Sequence, residues 1–401
     1  MNIAFVVASA EPGRDGMGDY SLSLAGALRA LGHRILVLAL NDRWLLRETD
    51  VVSGENSAGV AVDRIPSGLL LDTRISLARA RLAAFRPDWT SFQLVSYGYH
   101  PKGLLFQFNR RVRVLASACP NWQLMFQELW IGIDIGSPWK QRLIGMLQRR
   151  SIQGFVHALR PKVFHTSTTY FRAMLGTLGL DVAVLPLAGS IPVNSDQGRA
   201  WFLETLGGLG IPISADNRPN YLIGGFFGSV YSQWKPEPFF STLATVARTT
   251  GRKILILSVG RLTAGDATWE CLPSAYPNFA FRRLGELPPD QVSQYFQNLD
   301  FGIAATPWLL IGKSSATAAM LDHGIPVIVT RNDARPRCAV SIEPPSDPLL
   351  ILAERDVSDR FISGLPRRAP QNSRVELAVE FVRQLEEAQY ASAHKGDCEL
   401  K

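Results

Sequence analysis

The chain has 401 residues, 46% of them apolar and 19% charged, a balance that supplies buried sheets, excludes a disordered polymer and favours two domains at this length. Its net charge of +7 favours an anionic partner such as a nucleotide phosphate or an acidic membrane face. The basic residues are scattered and no RNA- or DNA-binding motif appears, so no nucleic acid is expected among its partners. The cysteines, Cys119, Cys271, Cys338 and Cys398, stand far apart, which argues against a metal site or a disulfide framework and suits a reducing compartment.

Met1 to Ala10 is mostly apolar but lacks a basic leader and runs into a glycine-bearing loop, so it reads as a strand (Ile3 to Ala8) and not as a signal peptide. No apolar run reaches the roughly 20 residues of a membrane span, and a cytoplasmic protein is expected. Glu11 to Gly18 is a loop. Asp19 to Leu31 carries Leu22, Ala25, Leu28 and Leu31 at helical spacing, with Gly32 as a stop. Arg34 to Leu40 is the next buried strand, completing a βαβ unit.

Further strands are predicted at Trp89 to Val95, Val112 to Ala118, Val163 to Thr166 and Val182 to Leu185, with a basic amphipathic helix over Lys140 to Leu159. Leu187 to Pro219 is rich in Gly, Pro, Asn and Asp and reads as the domain junction. Periodic structure restarts with strand Leu222 to Gly228, helix Pro238 to Thr249, strands Lys253 to Val259 and Phe279 to Arg283, and helix Pro289 to Gln297. Phe301 to Ala305 is a buried strand; Gly312, Lys313, Ser314 and Ser315 then open a helix that ends at Gly324, before strand Val327 to Thr330. Arg331 to Arg368 reads mostly as loop, and Ser373 to Gln389 as a last helix followed by a tail. The expected division is an N-terminal domain over 1–195, a junction over 196–217, a second domain over 218–372, and a terminal helix and tail over 373–401 that pack back toward the first domain.

Several residues could carry chemistry. Unpaired N–H groups at a helix start suit a phosphate, so Gly312 to Ser315 is a candidate diphosphate cradle, with an ordinary Ser-capped helix as the alternative. Gly16 and Gly18 lie in a loop that does not fit the dinucleotide fingerprint, since Gly13, Gly16 and Gly18 are spaced three and two apart. Asp19 is either a helix cap or a base. In FFGSVYSQWK, Gly228 ends a strand, and Lys235 beyond Trp234 would either neutralise a diphosphate or sit solvated at the surface.

The order of these parts resembles the two-domain GT-B glycosyltransferases, in particular the group-1 (family 4) clan. GDYSLSLAGALRALGHRILVLAL is similar to the clan's first glycine loop and helix, Gly228 to Lys235 to its GR-loop-KG element, and LDHGIPVIVT to the end of its E-x7-E element. The resemblance implies an α/β GT-B fold of two Rossmann-like domains with parallel sheets facing across a cleft. It further implies a UDP- or GDP-linked sugar held mainly by the second domain, a glycan or lipid-linked acceptor held by the first, and no obligatory metal or cofactor. Gly285 and Leu287 in LGEL would meet the nucleobase through main-chain groups.

The departures bear on mechanism. Counting back from Gly324, the two glutamates of E-x7-E fall on Ile311 and Ala319, and the arginine of the GR element on Ser229. Lys313 could restore the missing charge, but nothing restores the glutamate, so the clan's retaining mechanism does not transfer. An inverting transfer needs one base near the acceptor hydroxyl, and Asp19, His100 and Glu128 are the candidates; as bland alternatives, they are a cap, a loop histidine and a surface carboxylate. A non-catalytic relative that binds nucleotide sugar or a partner, and an epimerase using His323, are the rivals. Lys140, Arg142, Arg149, Arg150 and Arg160, with Leu143, Met146, Leu147 and Phe155, mark the Lys140 to Leu159 helix either for peripheral contact with the anionic inner face of a membrane or for core packing with a solvated basic face.

Overall fold

The computed structural model describes residues 1–46, 49–230, 234–262, 265–353 and 357–398. It divides the chain into two compact units. The first comprises Met1–Leu187, Arg335–Glu343 and Arg374–Lys401, and the second Ala188–Ala334 and Pro344–Ser373.

In the first unit the elements run β1 (Asn2–Val7), α1 (Gly16–Ala30), β2 (Arg34–Asp42), β3 (Val52–Glu55), β4 (Ala61–Pro66), α2 (Leu71–Phe85), β5 (Trp89–Leu94), α3 (Phe106–Ala116), β6 (Trp122–Phe126), α4 (Trp139–Leu159), β7 (Val163–Thr166), α5 (Thr169–Gly176) and β8 (Ala183–Val184). The strands form one sheet in the order β3-β4-β2-β1-β5-β6-β7-β8, parallel except for the β3–β4 pair. All of Ile3 to Val7 is buried, as a central parallel strand covered on both faces requires. Helix α1 opens on Asp15, whose carboxylate accepts from the N–H groups of Met17 and Gly18. A Cβ on Gly18 would lie 2.6 Å from the Ser9 carbonyl oxygen, so this glycine lets α1 start hard against the end of β1.

The sequence expectation of a strand over Val112 to Ala118 is wrong. That segment ends helix α3, which buries Phe108, Val112 and Leu115 at helical spacing. The strand is β6, which begins four positions beyond that segment and is buried throughout. The alternation in VRVLA mimics a strand, and the helical partner Phe108 lies before the window that was read.

In the second unit the order is α6 (Arg199–Gly208), β9 (Tyr221–Phe227), α7 (Glu237–Thr250), β10 (Lys253–Val259), α8 (Asp266–Ala275), β11 (Ala280–Gly285), α9 (Pro289–Asn298), β12 (Phe301–Pro307), α10 (Ser315–Asp322), β13 (Val327–Arg331), β14 (Leu350–Leu352) and α11 (Val357–Ser363). Six parallel strands are arranged β11-β10-β9-β12-β13-β14. The stretch read mostly as loop, Arg331 to Arg368, contains β14 and α11. One sheet face packs an aromatic cluster that includes Phe226, Trp234, Phe240, Phe281 and Phe301. The other packs Phe202, Tyr295, Phe296 and Met320.

The chain then returns to the first unit through α12 (Ser373–Cys398). Phe381 stacks on Phe5 at 5.8 Å between ring centroids. Helix α4 buries Gly145, Gln148, Ile152 and Phe155 against the first unit, whereas Trp139, Leu143, Met146 and Leu147 are exposed. Its solvent face is therefore apolar as well as basic, which the core-packing alternative did not foresee.

Candidate active site

A doubly wound sheet offers a ligand site at the carboxyl ends of the two strands where the order reverses. Those strands are β1 and β5 in the first unit, and β9 and β12 in the second. A cavity of about 280 Å³ lies at the first reversal. It is lined by Ala8 after β1, Gln93, Val95 and Tyr97 at and beyond the end of β5, and Glu128 beyond β6. Asp15 and Met17 at the start of α1 and Arg43 after β2 close it.

The carboxylates of this cavity are held differently. Asp15 caps α1 and lies 3.7 Å from Arg43. Glu128 is half-buried and makes no hydrogen bond or ion pair with any described residue. Gln93 is buried, donates to Ser91 Oγ at 2.7 Å, and leaves its buried Oε1 without a partner. From Ser91 a buried polar chain continues through Gln123 and His165 to Gln384 on α12. Burial drops the His165 pKa to about 4, so this ring is neutral across the physiological range.

The cavity's rim rests on Asp42, fully buried at the end of β2. Its carboxylate accepts from Ser9 Oγ, from the Ala10 and Trp44 N–H groups, and from Arg64 Nε at 2.7 Å. Burial alone would raise its pKa; the guanidinium and the two N–H groups outweigh that and hold the carboxyl below its ordinary value.

Of the three bases expected from sequence, Glu128 alone lines the cavity. Asp19 is next to it on α1: it accepts from the Gly13 N–H at 2.9 Å, and burial, opposed by that bond and reinforced by Asp15, raises its carboxyl above the ordinary range. The helix cap is Asp15 and not Asp19. His100 Nδ1 accepts from the N–H groups of Lys102 and Leu104, so the neutral ring carries its proton on Nε2 and closes a turn instead of offering a base there. Gly18 makes room for its own chain, while Gly16 faces open space. Sequence reading passed over Asp15, Arg43 and Gln93; the Asp before a helical pattern was the one available signal.

At the second reversal, Gly228 (φ +75°) ends β9 and Ser229 and Lys235 are exposed. Residues 231–233 of the loop between them lie outside the described residues. Trp234 belongs to the aromatic core and donates from Nε1 to Thr330 Oγ1 at 2.8 Å. Gly260 (φ +89°) and Gly285 (φ +75°) end the neighbouring strands β10 and β11, and the Gly260 N–H donates to the Gly285 carbonyl, which engages one of its two lone pairs. The Leu287 side chain packs on the core. Gly260 was overlooked because its left-handed conformation has no mark in the sequence.

Beyond β12, Gly312 and Lys313 belong to a 3-10 helix, Trp308–Lys313, and the α-helix starts at Ser315, the last of the four residues expected to open it. Ser314 is its cap and accepts from the Thr317 N–H at 3.2 Å and Thr317 Oγ1 at 2.9 Å. That leaves the Ser315 and Ala316 N–H groups without an intrahelical acceptor. Ile311 and Ala319 are buried in the core, so the two positions of the glutamate motif pack here instead of binding. His323 is also a core residue, bonded to the Ala319 carbonyl and to Ser293 Oγ, which removes it from an epimerase site.

No protein-family model matches the chain, and no curated protein sequence matches it. Solved structures do. Sucrose-phosphate synthase from Thermosynechococcus elongatus matches over 98% of this chain and 100% of its own, with a TM-score of 0.60 and 14% identity. The catalytic domain of starch synthase IV from Arabidopsis thaliana, bound to ADP and acarbose, matches over 98% and 99% with a TM-score of 0.58 and 13% identity. Anabaena HepE in complex with UDP matches over 97% and 91% with a TM-score of 0.51 and 15% identity. The fold is GT-B. Among the described residues no helix is long and apolar enough to cross a membrane.

Proposed function

We propose that this GT-B protein is a glycosyltransferase that moves a sugar from a UDP- or GDP-linked donor to a hydroxyl of a glycan or lipid-linked acceptor, with no metal required. The observation that carries this reading is Glu128: a carboxylate without a partner among the described residues, lining a cavity at the reversal of a doubly wound sheet. Similar folds solved with UDP or ADP bound support a nucleotide-diphosphate donor.

In this reading Glu128 takes the proton of the acceptor hydroxyl as it attacks the anomeric carbon, and the raised carboxyl of Asp19 is the alternate base. Gln93 Oε1 and Arg43 orient the acceptor's hydroxyls. Lys235, Lys313, Ser229 and the N–H groups at Ser315 and Ala316 receive the diphosphate, and Gly228 lets its backbone approach it. Stabilising that leaving group is the main catalytic contribution when no metal assists. The lost glutamate motif leaves the retaining route without its acidic residue, so inversion is the expected outcome.

Thermal shift with UDP, GDP, uridine and guanosine tests the donor class, because a ligand that binds the native state alone raises the melting temperature. One diphosphate raising it well above its nucleoside is expected. No shift with either would sink the reading. Binding without transfer or hydrolysis of any donor would make the protein a non-catalytic binding subunit.

A further inference from the structure

The exposed face of α4 has a composition that ordinary solvent exposure does not explain. Trp139 (67% exposed), Leu143 (48%), Met146 (54%) and Leu147 (37%) recur at i, i+4, i+7 and i+8, opposite the buried stripe of Gly145, Gln148, Ile152 and Phe155. Ile135, just before the helix, is 69% exposed and extends the stripe. Its position is not accidental. The Ile135 N–H donates to the Arg335 carbonyl at 2.6 Å and the Arg337 N–H to the Ile133 carbonyl at 2.9 Å, which pins the segment ahead of α4 to residues 335–343 of the same unit.

The charge around this stripe is mostly positive: Asp134, half-buried just before Ile135, accepts from Tyr170 Oη and the Arg335 N–H. Helix α4 contains no Asp or Glu, and Lys140, Arg142 and Arg150 stand exposed beside or within the stripe. Arg335 and Arg337 are exposed beside Ile135. None of these five cations forms an ion pair among the described residues. An apolar stripe framed by unpaired cations complements a surface that is negative outside and apolar beneath, which is an anionic lipid leaflet and not a water-facing acidic protein.

The same helix also reaches the cavity. Gln148, on its buried side, donates to Tyr97 Oη at 2.9 Å and accepts from the Ile131 N–H at 2.8 Å, and Tyr97 lines the cavity that Glu128 faces. We infer that the Ile135–Arg150 face docks on anionic lipid and brings the cavity of the first unit to the membrane surface. That the docked cavity then receives a lipid-linked hydroxyl rests on the glycosyl-transfer reading; the docking itself does not.

Flotation of the full chain with vesicles of phosphatidylcholine, alone or mixed with phosphatidylglycerol, tests this. Binding to the mixed vesicles is expected, weakening as salt is raised. Trp139→Glu with Met146→Glu, two exposed positions where unchanged thermal unfolding verifies the fold, should lower partitioning by about tenfold or more. Arg142→Glu with Arg150→Glu should abolish the preference for anionic lipid. Absence of flotation, undiminished flotation of the first double variant, or a wild-type dimer in sedimentation that this variant dissolves would each overturn the proposal, the last by assigning the face to a second copy of the chain. Flotation without donor turnover would instead defeat the glycosyl-transfer reading and leave the docking face standing.

Discussion

The two units share one strand order around their reversal points, yet line those points with opposite chemistry. In the first, β1 and β5 end at an acidic cavity holding Asp15 and Glu128, with Asp19 behind them. In the second, β9 and β12 end among left-handed glycines, exposed Ser229 and Lys235, and a Ser-capped helix start. One topology thus carries carboxylates at the reversal of one unit and, at that of the other, the glycines, serine and lysine proposed to receive a diphosphate. The fold decides where a ligand can sit, and the loop residues decide which.

The sharpest way to break that division is Glu128→Gln. It should lower turnover by about 10²- to 10⁴-fold while leaving nucleotide affinity unchanged in a binding titration. Equal losses in both would move Glu128 to the donor side, and no loss would shift the base to Asp19.

The next effect is on stability. Asp42→Ala removes a fully buried carboxylate, leaves Ser9 Oγ and the Ala10 and Trp44 N–H groups without their acceptor and leaves Arg64 with its Glu11 ion pair, so chemical denaturation should show a loss of about 3–5 kcal/mol. Lys235→Ala, at an exposed position of the second unit, should leave stability nearly unchanged.

A pH titration separates the first unit further. His165 binds a proton less readily folded (pKa about 4) than unfolded (6.5), so its contribution is complete above pH 6.5 and falls as pH drops toward 4. The loss across that window is about 3 kcal/mol. His165→Gln, followed by denaturation at several pH values, should flatten the slope between those limits; an unchanged slope would show that other groups set it.

The smallest effects concern the cradle. Lys235→Ala and Lys313→Ala should each weaken diphosphate binding by about five- to tenfold with little change for the nucleoside, measured by calorimetry. A loss shared by both ligands would place these lysines away from the phosphates.

How far the sequence could be read depended on burial. Strands such as β1, β2, β9 and β10 are continuous apolar runs because both faces of a parallel sheet are covered, and that pattern survives in one dimension. Helix α3 looks like a strand over Val112 to Ala118 because Phe108 of its buried face lies outside that segment, and α11 and β14 are too short to leave a clear period. Glu128 was one of three candidate bases, and no local pattern singled it out. Asp15, Arg43 and Gln93 come from separate loops and a strand, and no spacing links them before the chain folds.

Apolar periodicity and glycine placement were enough to specify two successive βαβ systems, because local propensity and burial act along the chain. Which side chains converge did not follow from them. Glu128 has no partner among the described residues, His100 spends its Nδ1 on a turn, Ile311 replaces a charged motif with core, and α4 turns a tryptophan outward. The His100 turn is local, but the others depend on neighbours tens of residues away, brought together when packing closes the sheet.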